Sequence, residues 1–474
     1  MQSSRKQRIL RAGEAVRDPS SFARTLLGHT IWPKQHEILQ SLAKFPKTAV
    51  KACHASGKTF TAAEAVLWWI TTQKKGIAIT TAPTRMQVER VLWGEIHSAV
   101  QLARVDYPRP SAMRLQLAPD RFAIGMSTNE GVRFQGYHGN VLIVVDEAPG
   151  VLPKIFEAIE GIRAGGDVRV LALGNPVISS GPFYDAFTSY RESWNTLTIS
   201  AFDTPNLQGV TLERLLEMTE EELDDNPCSY LTSRRWVKEK YYEWGPNHPL
   251  WESRVLGNFP IQGDDSLLAL SWLEQAKLRE GGNDDGELFA GLDVAGAGKD
   301  ETALCIRCGP KIVYLQAWAK SDPRGEVVAA LKSCKGKLKN VNVDAVAIGW
   351  GMFQHLRSEG FPVRGVNVGG TPRDRERYFN LKAELFWGFR QRAESGDLAG
   401  LQDDKAIAQL AGIRYEINAR GQIAIESKPQ ARKRNVTSPD RAEAIILAFA
   451  DVKKAGSNLL EWMEMQIVKQ GMED

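Results

Sequence analysis

The sequence predicts two α/β domains in series, and three observations carry that prediction. A short apolar stretch ends in Ala52-Cys53-His54-Ala55-Ser56-Gly57-Lys58-Thr59 and runs into a helical pattern. A continuous apolar run, Val141 to Val145, ends in Asp146-Glu147. From Leu288 the period changes to short alternating strands that carry widely spaced aspartates.

The bounds come from length and composition. A chain of 474 residues exceeds one ordinary domain. Its 43% hydrophobic and 25% charged residues are those of globular proteins. No apolar run approaches the roughly 20 residues needed to cross a bilayer, so no membrane span is expected. The basic start Met1-Gln-Ser-Ser-Arg-Lys-Gln-Arg has no apolar core behind it, and no secretion signal is expected. Five cysteines, an odd and small number, suit a reducing cytosol. Cys305 and Cys308 have metal-ligand spacing but sit in an alternating apolar stretch, and they read as strand core. The net charge of +3 leaves any nucleic-acid contact to local patches. Lys428, Arg432, Lys433 and Arg434 form one, and Arg373, Arg375 and Arg377 another.

In the first half, strand, loop and helix follow one another across Thr48 to Thr71, the context of a true phosphate loop. Backbone N–H groups of such a loop, with the helix N-terminus, attract phosphate oxygens. Ser56 and Gly57 belong to the loop. Lys58 is placed to reach the β- and γ-phosphates of ATP, and the Thr59 hydroxyl to ligate one Mg²⁺. Ala52 stands where such loops usually have glycine. Val141 to Val145 reads as a strand buried on both faces, and open α/β sheets bind ligands at that edge. Asp146 is expected to hold the Mg²⁺ through water, and Glu147 to polarise the attacking water. Gln35, in Trp32-Pro33-Lys34-Gln35, is the candidate for pairing with adenine. Thr81-Ala82-Pro83-Thr84 follows another strand and reads equally as a turn or as a nucleotide- or DNA-facing loop. Asn175 ends Leu171 to Leu173 where it would sense the γ-phosphate. Arg133 is the candidate cation for the transition state, and His54 is not expected to bind metal. The fold expected here is a P-loop ATPase of the ASCE type.

In the second half, Leu288 to Val294, Thr302 to Gly309 and Ile312 to Trp318 read as three antiparallel strands. A helix near Glu326 to Lys335 and a strand at Val341 to Ile348 follow, an order that resembles the RNase H-like fold. That fold puts one aspartate mid-way along the first strand, one at the end of the fourth and one on a late helix. Asp293, Asp344 and Asp440 land on or near those places. Three converging carboxylates repel unless cations neutralise them, and oxygen ligands suit two Mg²⁺ or Mn²⁺ ions. Asp300 is an assisting ligand, and Glu443, one turn beyond Asp440, a weaker one. Ser438-Pro439-Asp440 is also a good helix start in its own right. Asn418-Ala419-Arg420-Gly421 marks a hairpin able to guide a duplex.

At this point the residues resemble the large terminase subunits of tailed bacteriophages, over roughly Ile31 to Ala450. The likeness rests on Trp32-Pro33-Lys34-Gln35, Ser56-Gly57-Lys58-Thr59, Phe134-Gln135-Gly136-Tyr137-His138, Val145-Asp146-Glu147-Ala148, Gly291-Leu292-Asp293, Gly349-Trp350-Gly351 and Ser438-Pro439-Asp440-Arg441-Ala442-Glu443-Ala444. The resemblance implies ATP-driven translocation of double-stranded DNA, with cleavage at the start and end of packaging. It implies a small terminase subunit and a portal protein as partners. It also implies a ring, pentameric at the portal, with the solution state left open between ring and monomer. The expected location is the host bacterial cytoplasm and, transiently, the portal vertex of the procapsid. Two departures stand out: Ala52 for glycine, and Arg133 two residues before the usual position of the transition-state arginine.

The expected division is an ATPase core at 1–205, a helical lid at 206–262, a linker at 263–286, a nuclease at 287–455 and a tail at 456–474. Two other readings remain open. One is a helicase or repair ATPase fused to a nuclease; dispersed aspartates in place of a second ATPase-like domain disfavour it. The other is a packaging component whose nuclease is silent.

Overall fold

Val141–Val145 lies at the centre of a seven-stranded sheet with every residue buried, as an uninterrupted run of Val, Leu and Ile demands. A computed structural model describes residues 13, 17–127, 137–260, 263, 265–279, 281–282, 285–295, 300–319, 322–334, 336–345, 349–434 and 438–450. The chain divides into two compact units, with the main break after Gly263 and the short segment from Ala431 grouped with the first unit.

The first unit holds β1 (Lys47–Ala52), β2 (Ile77–Ala82), β3 (Arg114–Ala118), β4 (Arg121–Ser127), β5 (Val141–Val145), β6 (Val168–Gly174) and β7 (Asn195–Ile199). Their order is β3-β4-β2-β5-β6-β1-β7. Only β3 runs against its neighbour; the other pairs are parallel. The insertion of β6 between β1 and β5 defines the ASCE arrangement. It brings the residue after Gly174 between the loop that follows β1 and the acids that follow β5. Helix Lys58–Thr72 starts at the loop, and its Thr61 to Ile70 stretch is buried throughout. A mostly apolar helix buried on every side belongs in a core, and this one packs on the sheet.

Beyond β7, short helices Leu212–Glu217, Glu220–Asp224, Arg234–Trp244 and Pro249–Arg254 follow. The side chains of Thr211, Thr219, Ser233 and His248 cap their N-termini, which explains why such short segments hold helical shape.

The second unit has β8 (Leu288–Asp293), β9 (Glu301–Cys308), β10 (Lys311–Ala319), β11 (Leu338–Asp344) and β12 (Val363–Val366) in the order β10-β9-β8-β11-β12. The first three strands form an antiparallel meander, helix Arg324–Ser333 crosses over, and β11 and β12 add in parallel. This is the RNase H-like order. Cys305 and Cys308 are buried on β9 and form no disulfide. A separate hairpin pairs β13 (Tyr415–Ile417) with β14 (Ile423–Ile425).

Element boundaries differ from the sequence reading in places. β8 ends at Asp293, one residue before the expected Val294, and β11 starts at Leu338 rather than Val341. Helix Leu270–Leu278 occupies part of the stretch expected as linker, because Leu270, Leu273 and Ala276 bury themselves against this unit. The expected strand end at 346–348 and the tail from 456 lie outside the described residues.

Helix Asp440–Phe449 crosses β8 and β9 and is fixed to the sheet at main-chain distance. A Cβ on Gly291 would stand 2.2 Å from the Ala444 carbonyl oxygen and 2.2 Å from the Ala448 nitrogen, so only glycine permits the approach. At the far end, the Asn342 amide donates to the carbonyls of Leu447 at 2.8 Å and Ala450 at 3.1 Å. Asn342 thereby satisfies carbonyls that a helix C-terminus leaves without partners. We predict that Gly291→Ala overpacks this contact and destabilises the second unit by about 3 kcal/mol. Thermal unfolding and ATP turnover of the variant check this, with turnover expected to stay near that of the unaltered chain.

Candidate ATPase and nuclease sites

The phosphate loop bends through left-handed residues at Ala55 (φ +47°) and Gly57 (φ +74°), and then enters its helix at Lys58. Around it stand the residues that the sequence singles out. The Lys58 ammonium lies 3.0 Å from a Glu147 carboxylate oxygen and donates to Asn175 Oδ1 at 3.3 Å. Asn175 in turn donates to the Ala52 carbonyl at 2.6 Å, so β6 holds both ends of the loop. Thr59 Oγ1 donates to Asp146 Oδ2 at 3.1 Å. Asp146 Oδ1 accepts the Glu147 N–H at 3.0 Å, and Glu147 itself sits at φ +47°. Left-handed conformation in a non-glycine residue is strained and is typical of functional sites. Ser56 is buried, and its hydroxyl has no partner among the described residues.

Charge and burial set the electrostatics. Burial and the neighbouring Glu147 push the Asp146 carboxyl up to about 6, against the pull of Lys58 and Thr59. Burial opposes the charge on Lys58, yet Glu147 and Asp146 hold its ammonium above the usual lysine range. The pair of acids and the lysine form a mutually dependent set in a low-dielectric pocket.

Gln35 stands behind this loop. It is buried; its Oε1 accepts the Trp32 N–H at 3.2 Å, and its Nε2 donates to the Gly57 carbonyl at 3.4 Å. The amide expected to pair with adenine is thus engaged by the loop, and adenine could take it only by displacing both partners. The helices after β7 grip the loop from the other side. Thr232 donates its N–H to the Ala55 carbonyl at 3.0 Å and its hydroxyl to the His54 carbonyl. The His54 N–H donates to the Arg254 carbonyl at 2.9 Å, and the His54 ring stacks on Trp236 with centroids 6.1 Å apart. His54 is accordingly a packing residue. Arg133 lies outside the described residues.

In the second unit, Asp293, Asp344, Asp440 and Glu443 interact electrostatically. Burial, with Glu443, Asp440 and Asp344 nearby, raises the Asp293 carboxyl well above the usual carboxylate range. Asp440 is also raised by burial, and hydrogen bonds from Ser438 and from the Glu301 N–H work against that shift. The Glu301 N–H reaches Asp440 Oδ2 at 2.7 Å. Asp300 adds negative charge beside Asp440. Two lysines compensate. Lys382 lies 2.6 Å from one Glu443 oxygen, and Lys428 lies 3.5 Å from the other. Burial opposes the charge on Glu443, yet these lysines hold it below the usual range. Glu443, weaker from sequence, is therefore integral to the cluster.

Among the described residues no three His, Cys, Asp or Glu side chains are gathered as a ready-made metal site. The donor set still suits a hard divalent cation. It is all oxygen, and the repulsion that raises Asp293 is what such a cation relieves.

No protein-family model matches the chain. A protein of Enterobacteria phage P7 described as "Probable terminase, large subunit" is 25% identical over 465 residues, covering 90% of this chain and 89% of its own. The chain resembles large terminase subunits. Among solved structures, the large terminase of a thermophilic bacteriophage in complex with ADP is similar over 90% of this chain and 100% of its own, at 11% identity and a TM-score of 0.41. The nuclease domain of the large terminase subunit gp2 of bacterial virus Sf6 covers 40% of this chain and 100% of its own, at 15% identity and a TM-score of 0.35. The fold of this terminase-like chain rests on its strand orders, not on those scores.

Thr232, Trp236 and Lys382 have no motif to mark them; each acts through contacts with residues distant along the chain. Asp146 allows a direct check of the electrostatics. Its carboxyl rises from 3.8 toward about 6 on folding, so the folded state binds the proton more tightly and stability falls as pH rises through that window. Asp146→Asn should therefore raise stability by about 2 kcal/mol above pH 6. The advantage should shrink on acidification and vanish near pH 4. Denaturant melts across that range check it.

Proposed function

We propose that this chain is a viral DNA-packaging motor and nuclease, the large subunit of a terminase. ATP hydrolysis in the first unit drives double-stranded DNA into a procapsid, and the second unit cuts concatemeric DNA at initiation and termination. One observation carries the reading: a complete P-loop site and a buried carboxylate cluster on an RNase H-like sheet follow one another in a single chain. The likeness to the phage P7 protein supports the same assignment.

At the first site, ATP and Mg²⁺ are assigned to Ser56, Gly57, Lys58, Thr59 and Asp146. Lys58 neutralises phosphate charge, and Asn175, already bonded to Lys58, reports on the γ-phosphate. Glu147 orients the attacking water. Gln35 contributes by holding Gly57. Arg133 is the proposed transition-state cation. At the second site, Asp293, Asp344 and Asp440, with Asp300 assisting, would hold two Mg²⁺ or Mn²⁺ ions. Such ions activate water and stabilise the leaving 3′ oxygen of a phosphodiester. Asp293 and Asp440 supply ligand oxygens from elements locked together at Gly291. Glu443, held by Lys382 and Lys428, supplies the negative field beside them. The domain division proposed from the sequence accompanies this reading, with helix Leu270–Leu278 moved from the linker to the second unit.

A small terminase subunit, a portal protein and a pentameric ring on the procapsid are the proposed partners and assembly. No helix among the described residues is long and apolar enough to cross a membrane. The host bacterial cytoplasm, with transient residence at the portal vertex, is the proposed location.

Two separable losses test the proposal. Lys58→Ala and Glu147→Gln should each lower ATP turnover on the order of 10²–10⁴-fold and leave Mn²⁺-dependent plasmid cleavage intact. Asp293→Asn and Asp440→Asn should reduce cleavage to background while ATP turnover stays within about twofold. Undiminished turnover in Glu147→Gln would remove the motor, and undiminished cleavage in Asp293→Asn would remove the nuclease.

A further inference from the structure

Helix Asp440–Phe449 begins without a cap of its own. The preceding residue is Pro439, whose side chain can accept no hydrogen bond, and no side-chain cap is formed there. The first N–H groups of a helix need acceptors, which the side chain of the residue just before the helix commonly supplies. Pro439 cannot, and the Asp440 carboxylate does not turn back to do so. The N–H groups of Arg441 and Ala442 donate instead to Oε1 of Gln409, at 2.9 and 3.2 Å. The Gln409 Nε2 donates to the Ser438 carbonyl at 3.1 Å, on the other side of the proline. Gln409 is only 6% exposed, on the buried face of helix Asp404–Gly412.

Relieved of capping, Asp440 spends its carboxylate elsewhere. One oxygen accepts from the Ser438 hydroxyl and the other from the Glu301 N–H. Arg441, the next residue, ties the same three elements together. Its guanidinium lies 3.1 Å from Glu301 and 2.5 Å from Asp403, the N-cap of the Gln409 helix. Lys405 completes the set on Glu301 at 3.0 Å.

We propose that Gln409 is a positioning residue of the nuclease: its amide substitutes for Asp440 as the helix cap and so leaves that carboxylate turned to the acid cluster. The proposal rests on reading Asp440 as part of a nuclease site. Without Gln409, the bare N–H groups of Arg441 and Ala442 are the nearest unsatisfied donors for Asp440, and the carboxylate folds back on its own helix.

The test uses full-length protein. In Gln409→Asn the amide is one methylene short of the two N–H groups. Hydrogen exchange at Arg441 and Ala442 in the metal-free protein should accelerate. Mn²⁺ affinity, measured by calorimetry without DNA, should fall about tenfold, the usual scale for losing a residue that orients a ligand. Half-saturating Mn²⁺ for plasmid cleavage should rise in step, with the rate at saturating Mn²⁺ retained. Gln409→Glu loses the donor to the Ser438 carbonyl but keeps the acceptor for Arg441 and Ala442, and should retain their protection and the affinity of the unaltered chain. Faster exchange with unchanged Mn²⁺ affinity overturns the proposal, as does a uniform loss of rate with no shift in Mn²⁺ dependence. Should Gln409→Asn lose its fold, Gln409→Glu decides: protected amides and normal Mn²⁺ affinity support the assignment, and unprotected amides sink it. Normal cleavage by Asp440→Asn would instead refute the nuclease reading itself.

Discussion

Like charges held together away from water are the constraint on which both units turn. Asp146 with Glu147, and Asp293 with Asp440, Asp344 and Glu443, are acids whose mutual repulsion and burial oppose ionisation. Each group is made tolerable by lysine: Lys58 in the first unit, Lys382 and Lys428 in the second. Nothing in folding alone rewards such an arrangement, since a buried ion pair is weak evidence for stability. The scaffolds exist to hold it. Parallel strand ends deliver the acids of the first unit; in the second, the ends of β8 and β11 deliver Asp293 and Asp344, and a helix laid against a glycine delivers Asp440 and Glu443.

Much of this was legible in the residues. The P-loop, the apolar strand before Asp146 and the meander from Leu288 are local patterns, and local patterns survive in one dimension. The end of the buried run Leu171 to Leu173 gave Asn175 its place, whereas the insertion of β6 between β1 and β5 is not written in any local pattern. What escaped was long-range. Gln35 reads as an adenine contact because its neighbours in sequence form a motif, yet its amide meets Gly57, 22 residues away. Lys382 and Gln409 lie on helices whose patterns speak only of burial. Their partners, Glu443 and the start of the last helix, come from 61 and 32 residues further along. Glu443 was undervalued for the same reason, since its importance comes from two lysines that no spacing rule links to it.

The helices after β7 add a second theme. Their turn at Leu231 to Ser233 is held by Asn206, which donates to the carbonyls of Cys228 and Thr232 at 2.8 and 3.0 Å. From that turn Thr232 clasps the loop at His54 and Ala55. Lys51, just before the loop, donates to Gly257 at 3.1 Å and Asn258 at 2.7 Å, closing the grip on the other side. A displacement of the loop backbone is therefore shared with the segment that ends the first unit. Main-chain contacts of this kind pass small shifts on because packed elements yield discretely rather than elastically.

Strand β9 has a double duty. Along its length it pairs with β8, setting Asp293 opposite Ala303, and at its first residue its main chain bonds to Asp440. Pairing register and chemical competence are thus one property of this strand. A slip of a single residue would move the Glu301 amide off Asp440 and invert every β9 side chain between sheet faces at once. Point changes in the core can be absorbed one at a time, whereas a deletion within β9 has no partial version.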